Sequence, residues 1–317
     1  MNDVAEASDK FHSILFADDT TLTEPLCTFD LLAANNKYDK KKLSDSINIE
    51  LRKIYEWLCV NKLSLNIPKT KFMIFHYRQR DVENIIPNLE INNHIIERVK
   101  EFNFLGMLFD EHLDWNQHIH KTANKISRTL GMMNRLKHTL PHFTLKLLYN
   151  SLILPHIQYG ILCWGFKYNR IFKLQKRAMR IITCSKYNAH TSPIFKSLEL
   201  LKVEDIFKIS LLKFLYKLEK DRLPAYFPGM FVTNSANHQH STRHRDIDRL
   251  PVPRTSSAME TIRYYLPIFV EDTPDIIKDK IHTHSPEGFT HYAKMYFIRR
   301  YPTKCYIENC YICNEQQ

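Results

Sequence analysis

Apolar and polar positions along this chain change their period twice. Residues 13–16 and 20–22 are short β-prone runs separated by Ala17-Asp18-Asp19, which predicts a strand–turn–strand hairpin with two carboxylates at its tip. Between residues 44 and 58, Ile47, Leu51, Ile54 and Leu58 recur at three- and four-residue spacing behind Ser44. That spacing predicts an amphipathic helix with a serine cap, carrying Glu50, Arg52, Lys53 and Glu56 on its outer face. Three β-prone segments follow at 71–76, 89–91 and 102–109, punctuated by Pro87 and an Asn92-Asn93 turn. From Asp114 the period becomes helical. Ile119, Ala123, Ile126, Leu130, Met133 and Leu140 form one stripe, with Lys121, Lys125, Arg128 and Arg135 off it, until Pro141 stops the helix. Further helices are predicted over 143–154, 155–164, 170–183 and 203–219. Residues 233–254, rich in His, Arg, Asn and Ser, read as a polar tether holding His238, His240 and His244. A last compact stretch spans 264–300, ahead of a cysteine-bearing tail.

Composition narrows the classes. The 317 residues are 44% hydrophobic and 12% aromatic, which argues for folded structure rather than disorder. Only 6 glycines are present, and neither a dinucleotide-binding nor a P-loop glycine pattern occurs. The net charge of +11 favours a polyanionic partner such as nucleic acid. The first residues, Asn2, Asp3 and Glu6 among them, have no signal-peptide pattern, and the apolar run 145–157 is interrupted by Asn150 and His156. The seven cysteines are an odd, scattered set. Together these features predict an intracellular protein of cytoplasm or nucleus, neither secreted nor membrane-bound.

The adjacent carboxylates are the first candidate chemistry. Nucleotidyl transfer uses divalent ions held by carboxylate oxygens, and Mg²⁺ favours such hard donors on a rigid turn. An Asp-Asp pair is also compatible with a solvated turn, so its neighbours decide. FADDTTL at residues 16–22 resembles the catalytic hairpin of reverse transcriptases. WLCVNKLSLN followed by IPKTKFMIF, residues 57–75, looks like the palm segment behind that hairpin in non-LTR (LINE-type) retrotransposon enzymes. FLGML at 104–108, with Leu113-Asp114-Trp115 and His118-Ile119, is similar to that family's primer-grip strands and the start of its thumb. RAMRII at 177–182 resembles a helix beyond the thumb.

The resemblance implies an α+β fold: a partial palm over 1–110, a helical thumb and connection-like region over 111–228, a tether over 229–258 and a C-terminal segment over 259–317. It implies an RNA-directed DNA polymerase, with Asp18 and Asp19 as Mg²⁺ ligands and Lys69 beside the incoming triphosphate. Phe104, Leu105 and Gly106 would position the primer end, and Lys121, Lys125 and Arg128 would contact the backbone of an RNA template paired with a primer strand. The family also carries a fingers subdomain and a further palm aspartate upstream of the hairpin. The expectation is therefore the C-terminal portion of a 5′-truncated element, inactive by itself and completed by an N-terminal part. Two other readings stay open: a non-catalytic RNA- or DNA-binding module, and a decayed element without function. Finally, Cys305, Cys310 and Cys313 with His282, His284 or His291 would suit a Cys₃His zinc site; the alternative is a tail of reduced thiols.

Overall fold

A computed structural model describes residues 4–8, 10–16, 19–23, 37–79, 88–224, 227, 230–231 and 256–304. The chain divides into two units, Met1–Asp114 and Trp115–Gln317. Asp18, the His-rich tether and Cys305, Cys310 and Cys313 lie outside the described residues.

In the first unit, β1 (His12–Phe16) and β2 (Asp19–Thr23) pair antiparallel, with Phe16 opposite Asp19. Helix α1 (Lys37–Val60) begins well before the predicted Ser44. Ser44 is therefore inside the helix, where its hydroxyl donates to the Asn88 carbonyl at 3.2 Å rather than capping. Strand β3 is confined to Lys71–Phe72 and pairs parallel with β6 (Glu97–Arg98). Strands β4 (Glu90–Ile91) and β5 (His94–Ile95) form a hairpin around Asn92 and Asn93, whose φ values of 50° and 60° suit asparagine in a tight two-residue turn. The run 102–109 folds into a second hairpin, β7 (Glu101–Phe104) with β8 (Met107–Asp110), instead of one strand. Leu105 and Gly106 form its turn at φ 46° and 82°.

One apolar cluster holds these pieces. Ile47 and Leu51 of α1 bury against Leu89, Ile91 and Ile96, and Phe11, Leu22, Tyr55, Leu65 and Phe72 pack around them. The helix stripe read from the sequence is thus the core face. Glu50 corrects that reading, because it is buried and not on an outer surface. The short helical turn Val4–Ala7 packs against α1, and Ser8 beyond it reaches the Glu50 carboxylate.

The second unit is helical. It contains α2 (Asn116–Leu136), α3 (His142–Leu152), α4 (Leu154–Gln158), α5 (Ile161–Trp164), α6 (Asn169–Ile182), α7 (Thr191–Ser197) and α8 (Val203–Glu219). After the tether come α9 (Ser256–Met259), α10 (Ile262–Asp272), α11 (Asp275–Thr283) and α12 (Pro286–Arg299). Helix α2 ends at Leu136, before the predicted stop at Pro141, and a turn closes on the Leu136 carbonyl through the Thr139 and Leu140 N–H groups. The single helix predicted over 155–164 is broken at Tyr159–Gly160, where Gly160 takes φ 61°. Ile126, Leu130 and Met133 of α2 are fully buried, as are Tyr149, Ile171, Met179 and Leu212 from its neighbours. Gly165 lets Phe207 of α8 pass closely, for a Cβ there would stand 2.4 Å from the Phe207 ring. Among the described residues no helix is long and apolar enough to cross a membrane.

Candidate catalytic hairpin and basic helix faces

Asp19 opens β2 and is exposed. β-Branched Thr20 and Thr21 suit the extended backbone that fixes this position. The hairpin is anchored through Leu22, and through Phe11 just before β1, on the apolar cluster under α1. Lys69 closes a short helical turn, Ile67–Lys69, in which Asn66 accepts from the Lys69 backbone N–H at 3.2 Å. The turn is bracketed by Leu65 and Phe72, which pack on the same cluster. The paired-aspartate hairpin and the lysine turn are therefore seated on one core, although their sheets are separate. Lys69 itself is exposed.

Phe104 is half-buried and meets Phe109 edge-on at 6.0 Å across the second hairpin. Leu105 sits at its tip in a left-handed conformation that disfavours a side chain with a Cβ, a cost of about 1 kcal/mol. Strain of this kind often marks a position held for a purpose other than stability. Among the described residues, three side chains able to hold a metal gather at His76, Glu111 and His112; Asp19 is not one of them.

Lys121, Lys125 and Arg128 share the side of α2 opposite its buried stripe; Lys125 and Arg128 are exposed and Lys121 is partly so. Their field is felt nearby. Burial pushes the His118 imidazole below its ordinary pKa, and Lys121 and Lys125 push it further. Burial and Lys125 do the same to His156.

Helix α6 presents a second basic face that sequence reading passed over, in Arg170, Lys173 and Arg177, all exposed, with Lys176 and Arg180 at its edge. The signal was present, since its apolar residues segregate sharply from these cations. Lys176 and Arg180 also line a cleft of about 420 Å³ with Lys202 and Lys304. Burial lowers the Lys176 pKa, and the cations of Arg180, Lys202 and Lys173 lower it further; Glu204 is the one acid lining a cleft otherwise dominated by cations. Such a surface attracts phosphate without reading bases.

Comparison with known proteins adds descent to this chemistry. Over 124 residues the chain is 28% identical to the probable RNA-directed DNA polymerase from transposon BS of Drosophila melanogaster, covering 37% of this chain and 14% of that protein. Over 198 residues it is 24% identical to the RNA-directed DNA polymerase from mobile element jockey of Drosophila funebris, covering 60% of this chain and 20% of that protein. This chain is similar in sequence to transposon RNA-directed DNA polymerases. The matched stretches span a fifth or less of those polymerases' length. No protein-family profile matches the chain, and no solved structure does.

Proposed function

We propose that this chain is the palm-hairpin and thumb portion of a non-LTR retrotransposon reverse transcriptase, which binds an RNA template paired with a primer. The observation that carries this reading is the common seat of the Asp18–Asp19 hairpin and the Lys69 turn on one apolar cluster. In that arrangement Asp18 and Asp19 hold Mg²⁺. Adjacent carboxylates on a short loop are the donor set that ion takes. When bound, Mg²⁺ neutralises charge developing on the reacting phosphates. Lys69 offers its ammonium to the leaving pyrophosphate. The strained Leu105–Gly106 turn, with Phe104 beneath it, supports the primer end. Lys121, Lys125 and Arg128 hold the duplex backbone.

Polymerisation needs a further carboxylate beside the pair. In this reading the chain assayed alone binds RNA–DNA hybrid but does not extend a primer. Incorporation of nucleotides on a primed RNA template, abolished by Asp18→Ala, would overturn the inactivity. Absence of hybrid binding would remove the whole reading. A second reading, a binding module without catalysis, is favoured by the basic faces of α2 and α6 lying in a different unit from the hairpin. It predicts that hybrid is bound but no primer is extended even when an N-terminal polymerase segment is supplied in trans.

A further inference from the structure

Behind β3 the chain runs to His76, and behind β8 it turns through Glu111 and His112. Backbone bonds lock the two stretches together: the His76 N–H donates to the Glu111 carbonyl at 3.0 Å, and the Glu111 N–H donates to the Lys100 carbonyl at 3.0 Å. Three side chains converge there. His76 Nδ1 lies 3.0 Å from the Tyr77 carbonyl oxygen, and His112 Nδ1 lies 3.1 Å from the His76 carbonyl oxygen. A carbonyl can only accept, so each Nδ1 carries a hydrogen, and Nε2 is the ring nitrogen left for another partner.

Both Nε2 atoms face the same carboxylate. His76 Nε2 stands 3.5 Å from Glu111 Oε2, and His112 Nε2 stands 3.9 Å from Glu111 Oε1. The side chains of His76 and Glu111 are only 10% and 12% exposed. His76 Nε2 is buried and has no hydrogen-bond partner. Two imidazole nitrogens that converge on one carboxylate, one of them buried without a hydrogen-bond partner, leave a place for a cation, a proton or a metal ion, between them and the oxygens. Backbone carbonyls that fix the tautomer through Nδ1 are also the usual outer support of an imidazole metal ligand. Arg98 Nη2 donates to Glu111 Oε2 at 3.0 Å, which orients the carboxylate and leaves Oε1 for an ion.

We propose that His76, Glu111 and His112 bind one Zn²⁺ ion, with water in the fourth position. Two imidazoles and a carboxylate are a donor set for Zn²⁺ and a poor one for Mg²⁺, which prefers oxygen alone. The three donor atoms already lie within 4.8 Å of one another. Tetrahedral Zn²⁺ requires about 3.3 Å between them, so small side-chain rotations close the site. The ion clips the segment after Lys69 and β3 to the base of the β7–β8 hairpin, and so stiffens the mount of the Leu105–Gly106 turn. This is distinct from any ion held by Asp18 and Asp19.

The test uses the full chain with Cys305→Ser, Cys310→Ser and Cys313→Ser, so that tail thiols do not contribute. Zn²⁺ titration by calorimetry should give saturable binding, and Co²⁺ should give visible bands of a tetrahedral site without thiolate charge transfer. His76→Ala and Glu111→Gln should each weaken Zn²⁺ binding by more than about tenfold. His112→Cys should keep the ion and add a thiolate-to-Co²⁺ band, which covers the case in which His76→Ala fails to fold. Absence of saturable Zn²⁺ binding by the folded parent would overturn the proposal. So would an affinity unchanged by His76→Ala, or His112→Cys binding Co²⁺ with no new band.

Discussion

The Glu50 carboxylate accepts from Ser8 Oγ at 2.6 Å and from Lys53 Nζ at 2.9 Å. These donors, Ser8 foremost, hold its pKa below the usual carboxylate value of 4.5. The sign follows from linkage: a carboxyl depressed on folding stabilises the fold above its unfolded pKa and loses that contribution as acid reaches its folded pKa. Glu50→Gln should therefore destabilise the first unit at neutral pH by about 1–2 kcal/mol. The gap to wild type should close as pH falls below about 4.5, read by hydrogen exchange in α1. A gap independent of pH would show that Glu50 acts through packing alone. The periodicity of α1 marked Ile47, Leu51 and Ile54 as buried, and they are. It could not mark Glu50, because a polar residue beside an apolar stripe becomes buried only when another segment, here that of Ser8, folds over it.

At the scale of elements, helices α3, α6 and α8 are tied by one buried amide. Gln175 Nε2 donates to Tyr149 Oη at 2.8 Å and to the Leu201 carbonyl at 2.8 Å, while its Oε1 accepts from the Val203 N–H at 2.9 Å. Gln175 has no exposed surface. Burial drives the Tyr149 hydroxyl up to about 12, with the Gln175 bond opposing, so it stays protonated. Gln175→Leu would leave three buried polar groups without this partner. It should cost about 2–4 kcal/mol, seen as a lower urea midpoint, with Gln175→Glu expected to be no milder because burial also penalises charge. A loss below about 0.5 kcal/mol would contradict the network's importance. Helix α8 was legible from end to end, since its apolar residues continue over four turns without a breaker. Helix α7 was not, because seven residues are too few for a period to emerge.

For the whole molecule, the net charge of +11 becomes meaningful once its cations are seen on helix faces. If α2 holds a template–primer backbone, replacing Lys121, Lys125 and Arg128 by Gln should reduce the slope of log K against log salt by about three. Binding at low salt should weaken, while Asp19→Ala leaves both quantities unchanged. An unaltered slope would make this a solvated face, and would shift the interest to Arg170, Lys173 and Arg177 of α6. The amino-acid sequence alone determined the paired-aspartate hairpin, the amphipathic stripes of α1 and α2, the Asn92-Asn93 turn and the kinship with transposon polymerases. Each depends on neighbours within a few residues, or on strings compared in order. Only the tertiary structure decided that Glu50 is buried and that Gln175 joins three helices. It alone brought His76 to Glu111 and His112 across 35 residues. The physical reason is that periodicity specifies which face of an element leaves water, while the partner that meets that face is chosen by packing of the whole chain.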